Sequence, residues 1–201
     1  MQTPSRQATS PALETVLDAG TLAGTWVLDP PKSSVRLRST ALWGLIPVTG
    51  FFRGVSGGGT ISPAGQVTGT LTVATASIDT NSTRRDKHLR SSDFFDSATY
   101  PDITFTLDSV RPHGERVAVR GALTVRDSSR TMSFDAAAVV RGEDEIQLDA
   151  EVETNRADFG MIWNPMHAVS LNNIITVSAV FFKRTPVATD DVLGASGTRE
   201  S

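Results

Sequence analysis

Apolar and polar residues alternate with a period of two along most of the chain. Segment 35–41 shows this clearly: its apolar or small residues occupy the odd positions, and Arg36, Arg38 and Thr40 occupy the even ones. Successive side chains of a strand point to opposite faces, so this period predicts half-buried β-strands. The same pattern recurs over Val67–Ala76, Ile103–Val110, Arg116–Val125, Met132–Val140, Ile146–Val152 and Ile174–Phe182.

Turn-forming residues separate these segments. They occur at Gly57–Gly59, Ser62–Gly65, His113–Gly114 and Gly142–Asp144. We interpret the three consecutive glycines as turn residues, because a phosphate-binding glycine loop would open a helix and carry a Lys-Ser/Thr step. Short, evenly spaced strands joined by hairpins predict an all-β fold, either an antiparallel sandwich or a barrel. About eight strands suit closure into a barrel with room for side chains or one ligand.

One polar segment interrupts the alternation and predicts a short helical insertion around residues 81–96. Asn81–Ser91 contains almost no apolar residue except Leu89, and Asp79, Thr80 or Asn81 can cap a helix start. A second tight turn is expected around Ser92–Phe95, capped by Asp93. Phe94 and Phe95 would then plug one end of the barrel.

The chain of 201 residues fits one domain with flexible ends. We predict a flexible N-terminal arm over residues 1–20, with room for a short helix at Ala12–Leu17. The barrel domain is expected over 21–185, followed by a disordered tail over 186–201. No apolar run is long enough to span a membrane, and the N-terminus lacks the apolar core of a secretory signal. We therefore expect a cytoplasmic protein.

Composition narrows the chemistry further. A net charge of −3 and a pI near 5.6 predict no nucleic-acid partner. There is no cysteine, and the three histidines are widely scattered, so we predict no metal site and no cofactor. His88 could form a Ser-His-Asp triad with Ser91 or Ser92, but no nucleophile elbow is present. A structural hydrogen-bonded cluster around His88 is the favoured interpretation.

The inward faces of the predicted strands suggest a cavity. Met132 and Phe134 give way to Ala136 and Ala138 along one face, so the barrel could be filled at one end and open at the other. The alternative is that small residues fit the taper of a packed barrel. Large apolar residues also cluster in predicted loops, either as ordinary core or as a ligand entrance. The residues predicted to line a ligand pocket are Trp43, Phe51, Phe94, Phe95, Met132, Phe134, Met161, Trp163 and Met166.

An ordered set of motifs resembles the YceI-like family of lipocalin-like, polyisoprenoid-binding proteins, over roughly residues 24–184. The motifs are Trp26–Val35, Val48–Phe52, Ser77–Thr80, Arg85–Arg90, Asp93–Asp96, Tyr100–Pro101, Ile103–Phe105, Gly121–Arg126 and Asn155–Gly160. The resemblance implies an eight-stranded antiparallel lipocalin-like barrel with a helical insertion, an elongated apolar cavity and often a homodimer. It also implies an apolar small-molecule partner such as a polyprenyl chain, a quinone precursor or a fatty amide.

The chain departs from the family pattern at two histidine positions, which Lys32 and Leu42 occupy. It also has Ser170–Asn173 where many relatives carry an acidic Gly-Asp-Glu step. These departures suggest that the pocket has a different function from that of its relatives and that its mouth is more apolar. If the family histidines help to hold a polar head group, recognition of that group is altered here.

Three functions remain open from the sequence. The leading hypothesis is a protein that binds a long apolar ligand, an isoprenoid, lipid or polyene, in its barrel. The second is a cofactor-free cyclase in bacterial natural-product biosynthesis, which would fold a polyene or polyketide precursor into a reactive shape by preorganisation alone. Such an enzyme needs no catalytic side chain, so none is named. The third is a stress-induced structural or partner-binding module, for which the sequence has no distinctive feature.

Overall fold

The structure is a computed structural model that describes residues 20–42, 44–113 and 116–185. Nearly all of the predicted N-terminal arm, including the helix at Ala12–Leu17, lies outside the described residues. The predicted tail over 186–201 and the pocket residue Trp43 also lie outside them.

Eleven strands and one α-helix form within the described part of the chain. The helix, α1, spans Thr83–Leu89. The strands are β1 (Gly24–Leu28), β2 (Ser34–Ala41), β3 (Ile46–Phe52), β4 (Val55–Ile61), β5 (Val67–Ala74), β6 (Ile78–Asp79), β7 (Asp102–His113), β8 (Arg116–Val125), β9 (Ser128–Arg141), β10 (Glu145–Asn155) and β11 (Asn172–Lys183). Every segment with the period-two pattern is therefore a strand, as predicted.

The strands close into an antiparallel barrel. Around the ring their order is β1, β4, β5, β7, β8, β9, β10 and β11, and β11 pairs with β1 to close it. β1 and β2 pair with successive parts of β11, so β2 continues the line of β1. In the same way, β3 continues the line of β4, and β6 continues the line of β5. The barrel thus has eight long strands, three of which are interrupted. This confirms the predicted eight-stranded all-β barrel.

The first interruption has a clear local cause. Asp29 ends β1, and the chain makes a 3₁₀ turn over Pro30–Lys32 before β2 begins. Proline has no backbone N–H to donate to the sheet ladder, so two consecutive prolines force the chain out of the strand. The Ser33 hydroxyl compensates by accepting a hydrogen bond from the Val180 backbone N–H at 3.0 Å.

The glycines at 57–59 were assigned wrongly from the sequence, since they lie inside strand β4 and not in a turn. The chain passes unusually close to its neighbours there. A Cβ atom added at Gly59 would lie 2.1 Å from the Thr68 carbonyl oxygen, and one at Gly58 would lie 2.7 Å from the Trp26 carbonyl oxygen. Glycine is needed here for close backbone approach rather than for a turn.

The helical insertion lies where it was predicted, but its cap differs. Ser82, not Asp79, Thr80 or Asn81, is the N-cap residue, and its side chain makes no capping hydrogen bond. Asp79 and Thr80 are engaged elsewhere: Asp79 accepts from the Asn81 backbone N–H at 3.0 Å and from Arg53 at 3.1 Å. These hydrogen bonds, that from Asn81 first, lower the pKa of the Asp79 carboxyl.

The topology defines two ends of the barrel. The β4–β5, β7–β8 and β9–β10 hairpins lie at one end, called here the lower end. The β2–β3 turn, the insertion containing α1 and the long β10–β11 connection lie at the opposite, upper end. The Ser170 backbone N–H donates to the Thr40 carbonyl at 2.8 Å, and Ala41 bridges Val169, so the β10–β11 connection is tied to β2. Within the described residues, the longest irregular segments therefore lie at the upper end.

Candidate functional site

An elongated cavity of about 490 Å³ runs through the barrel. Its walls are the inward faces of the strands, and most of the lining is aliphatic or aromatic. On β9 the inward residues are Met132, Phe134, Ala136, Ala138 and Val140, and on β2 they are Val35, Leu37, Ser39 and Ala41. The small residues predicted from the sequence therefore border open space.

The lower end of the cavity is closed by an apolar cluster. Leu22, Trp26 and Ile61 are buried together there, and Val67 and Phe181 pack against them. The Trp26 indole N–H donates to the Leu22 carbonyl at 2.9 Å, which satisfies its one polar group. The lower end consequently offers a ligand no free polar group from this tryptophan.

The upper end is bordered by an aromatic cluster of His88, Phe94 and Trp163. The His88 ring meets the Phe94 and Trp163 rings edge to face, with centroids 5.1 Å and 4.5 Å away. The Phe94 and Trp163 centroids are 5.5 Å apart. Since these rings come from the insertion and from the β10–β11 connection, the cluster joins the two segments that cover this end.

The geometry around His88 does not assemble a hydrolytic triad. Its Nε2 lies 3.1 Å from the Asp93 carboxylate, but the Ser91 hydroxyl donates to the His88 backbone carbonyl at 2.7 Å, not to the ring. The histidine is instead packed among aromatic rings. This arrangement agrees with the structural cluster favoured from the sequence.

The charged residues of the insertion attach it to the barrel. The buried Asp86 carboxylate accepts from the Thr80 backbone N–H at 2.9 Å and from the Thr80 hydroxyl at 2.6 Å. Arg85 donates to the same threonine at 2.8 Å and 3.0 Å, and Arg90 donates to the Ile78 carbonyl at 2.7 Å. This network fixes α1, and therefore Phe94 and Phe95, over the end of the barrel.

Arg156 is the buried cation of the site. It lies at the end of β10, is 5% exposed and lines the cavity. Its Nε donates to the Ser170 carbonyl at 3.0 Å, and its Nη1 donates to the Met161 carbonyl. The guanidinium carbon lies 5.4 Å from the centroid of the Phe94 ring. Burial lowers the pKa of this guanidinium, because it removes water from the charged form.

Six of the predicted pocket residues line the cavity: Phe94, Phe95, Met132, Phe134, Met161 and Trp163. Phe51 does not line the cavity. Val48 and Gly50 point inward on β3, and because side chains alternate along a strand, the next inward residue is Phe52. Phe51 instead lies under the Arg53 guanidinium at 5.8 Å. Met166 does not line it either, since it is 79% exposed in the turn that covers the upper end.

Sequence reasoning missed several lining residues. Phe52 and Phe105 could have been found from the strand period and from the family motifs that contain them. Arg156 belongs to the Asn-Arg-x-Asp-Phe-Gly step, but the sequence does not show on which side of the chain a charged side chain lies. Its position inside the cavity is known only from the structure.

The two histidine positions at which the chain departs from the family pattern do not line the cavity. Lys32 lies on the outer surface, 2.9 Å from the Glu145 carboxylate and 4.5 Å above the Phe182 ring. Hydrogen bonds from Arg141 and from Lys32 hold the pKa of the Glu145 carboxyl below its usual range. Leu42 is 44% exposed in the β2–β3 turn. An effect of either residue on head-group recognition by direct contact is therefore not supported.

Exposed apolar side chains surround the upper end of the cavity, and we call them the apolar rim. They come from the β2–β3 turn and from the β10–β11 connection, two segments held together by the bridge between Ala41 and Val169. Leu45 and Ile162 are 79% and 71% exposed. Among the described residues, the apolar rim consists of Leu42, Leu45, Ile46, Ile162, Trp163 and Met166.

The described residues hold no group of three or more histidine or acidic side chains that could bind a metal ion. Within the same part of the chain, no helix is long and apolar enough to cross a membrane.

Comparison with solved structures identifies the same barrel in other proteins. BcnA of Burkholderia cenocepacia matches with a TM-score of 0.69 at 23% identity, over 76% of this chain and 98% of BcnA. A polyisoprenoid binding domain from Saccharophagus degradans matches with a TM-score of 0.66 at 18% identity, over 79% of this chain and 98% of that one. At these identities the likeness shows the fold alone.

Curated relatives match over a shorter stretch. Protein YceI of Escherichia coli O6:H1 is 42% identical over 74 residues, which is 37% of this chain and 39% of the relative. The match therefore spans less than half the length of this relative. The family model of the YceI-like domain matches residues 26–181, which is most of the chain. With the barrel, the insertion and the cavity in place, the chain belongs to the YceI-like family.

Proposed function

We propose that this protein binds a long apolar molecule, of the isoprenoid or lipid class, inside its barrel. The observation that carries the proposal is the cavity of about 490 Å³, whose walls are almost entirely apolar. Its volume falls within the range of about 300–1,000 Å³ typical of small-molecule sites. The barrel of a polyisoprenoid binding domain from Saccharophagus degradans has the same fold, which supports an apolar ligand here.

Apolar contact alone can supply the affinity. Each buried methylene contributes about 0.8 kcal/mol, so a chain that buries ten of them gains roughly 8 kcal/mol before the costs of association. Association costs at least about 4 kcal/mol, so micromolar binding needs a longer buried chain, of about fifteen or more carbons. A ligand with few polar groups therefore suits this site.

The ligand enters at the upper end in this proposal. The lower end is filled by Leu22, Trp26 and Ile61, whereas the apolar rim surrounds the opposite end. Exposed apolar side chains next to an apolar cavity can contact a lipid chain during transfer. The aromatic cluster would have to move aside, and two of its members are partly exposed: Trp163 by 37% and the His88 side chain by 37%.

Titration with geranylgeraniol, a C20 isoprenoid alcohol, tests the proposal, and the fluorescence of Trp26 and Trp163 in the cavity wall reports binding. Mass spectrometry of organic extracts from the purified protein would identify a natural ligand. We expect saturable binding of one molecule per chain. A folded protein that binds neither geranylgeraniol nor any other apolar probe would overturn the proposal.

The cyclase alternative remains a prediction that no observation of the described residues favours over simple binding. The cytoplasmic location and the homodimer likewise remain predictions. Turnover of a linear polyene precursor tests the cyclase. Fractionation of the native cells tests the location, and light scattering of the purified protein tests the homodimer.

A further inference from the structure

Arg156 has an unused hydrogen-bonding group inside the barrel. Two of its nitrogens donate to the carbonyls of Ser170 and Met161, but its Nη2 is buried and has no hydrogen-bond partner. The described residues include other buried polar side-chain atoms without partners, on Arg36, Ser97 and Arg126. Of these residues, Arg156 alone lines the cavity.

The charge of Arg156 is also uncompensated. No carboxylate within the described residues forms an ion pair with it, and both of its hydrogen-bond partners are neutral carbonyls. A buried charge without a counter-ion is unfavourable, because it has lost its hydration without gaining a partner. An anion delivered by a ligand would supply both the missing acceptor and the missing charge.

The other cations that border this end of the cavity are already engaged. Arg85 is held by Thr80, and the His88 ring contacts the Asp93 carboxylate. Among the lining cations of the described residues, Arg156 is the one with a buried donor that has no partner. A neutral polar patch lies beside it: the Leu171 carbonyl accepts both from the Arg156 backbone N–H at 2.9 Å and from the Asn173 side chain at 3.0 Å.

We propose that Arg156 binds the carboxylate of a ligand whose apolar chain occupies the barrel, so that the preferred ligand is a long-chain or isoprenoid acid. This inference rests on the proposed function and specifies the class of ligand. One guanidinium with one unused nitrogen matches the single charge of a carboxylate. A phosphate monoester carries more charge, and a diphosphate more still, and neither would find a second buried cation among the described residues that line the cavity. Asn173 also lines the cavity, and its side chain shares the Leu171 carbonyl with the Arg156 backbone N–H.

A matched series of ligands tests the proposal on the unaltered protein. The series is geranylgeranoic acid, its methyl ester, geranylgeraniol and geranylgeranyl monophosphate, which share one C20 chain and differ in the head group. Hydrogen bonds to charged groups are stronger than neutral ones, so the acid should bind about 10- to 100-fold more tightly than the alcohol or the ester. With a ¹³C-labelled carboxyl group, the bound acid should show the signal of the ionised form at neutral pH.

Variants assign the preference to the guanidinium. Arg156→Gln should remove the advantage of the acid over the alcohol, whereas Arg156→Lys should retain part of it. Arg126→Gln is the matched control, because Arg126 also lies at this end and donates to the Phe94 carbonyl, but does not line the cavity. If Arg156→Gln fails to fold, the ligand series on the unaltered protein still decides.

The possible results distinguish failure of the carboxylate site from failure of the proposed apolar-ligand binding. Equal binding of acid, ester and alcohol would overturn the carboxylate site and leave the apolar-ligand proposal standing. Tighter binding of the monophosphate than of the acid would also overturn it. Retention of the acid preference in a folded Arg156→Gln protein would show that another group recognises the head group. Failure of all four probes to bind would instead refute the proposed function itself.

Discussion

Replacing Ala138 by phenylalanine should block the cavity and weaken ligand binding. Ala138 lies on the inward face of β9, paired with Leu148 on β10, and it borders the cavity. A phenyl ring at this position would occupy space that a ligand chain needs. If it displaces three or four methylenes at about 0.8 kcal/mol each, the loss is about 3 kcal/mol. This corresponds to a roughly 100-fold higher Kd for geranylgeraniol.

Ala137→Phe is the matched control for this experiment. Ala137 is the adjacent residue on β9, but it does not line the cavity. The same substitution there should leave the Kd unchanged. The affinities are measured by titration with tryptophan fluorescence, and circular dichroism checks the fold. Because Ala138→Phe fills existing space, its melting temperature should not fall. Unaltered affinity in a folded Ala138→Phe protein, or an equal loss in both variants, would show that the ligand chain does not occupy the space beside Ala138.

Three further substitutions test the roles of the apolar rim, of Asp86 and of Glu145. Changing Leu45, Ile162 and Met166 of the apolar rim together to serine should slow transfer of geranylgeraniol from phosphatidylcholine vesicles, while its Kd in solution stays the same. Asp86→Ala should lower the free energy of unfolding in urea by about 1–3 kcal/mol, because two buried donors lose their acceptor. The Glu145 carboxyl has a depressed pKa, so its contribution to stability is present above about pH 4.3 and is lost as the pH falls through the folded-state value. Glu145→Gln should therefore lose less stability on acidification than the unaltered protein does.

Each of these changes has a control on the same surface or element. Val139→Ser alters an exposed apolar residue on the barrel wall and should not slow ligand transfer. Asp93→Ala removes a more exposed carboxylate of the insertion and should cost less than Asp86→Ala. Glu143→Gln, in the exposed β9–β10 turn, should leave the pH profile of melting unaltered. An equal effect in a variant and its control would contradict the role given to that residue.

The fold could be predicted from the sequence because a strand with one buried face imposes a period of two on its residues. Segments such as Arg116–Val125 carry that period and form strands with the predicted bounds. Gly57–Gly59 could not be assigned in the same way. Glycine serves both turns and close backbone approach, and only the neighbouring strands decide between them.

The site was less predictable than the fold. Met132 and Phe134 could be placed on the cavity wall from strand period alone, and on β3 the same period places Phe52 there rather than Phe51. Arg156 could not be found because its location depends on the path of the β10–β11 connection, which has no repeating pattern. The contacts that bury it come from the Met161 and Ser170 carbonyls, and backbone acceptors leave no trace in a sequence.

A crystal structure of the protein with bound geranylgeraniol is the most direct test of the central claim. If the ligand occupies the cavity, we expect continuous ligand density inside the barrel, from the Leu22 and Trp26 cluster to the aromatic cluster of Phe94 and Trp163. The hydroxyl should lie at the upper end, near Arg156. A barrel whose interior is filled by its own side chains, with the isoprenoid bound only on the outer surface, would contradict the account.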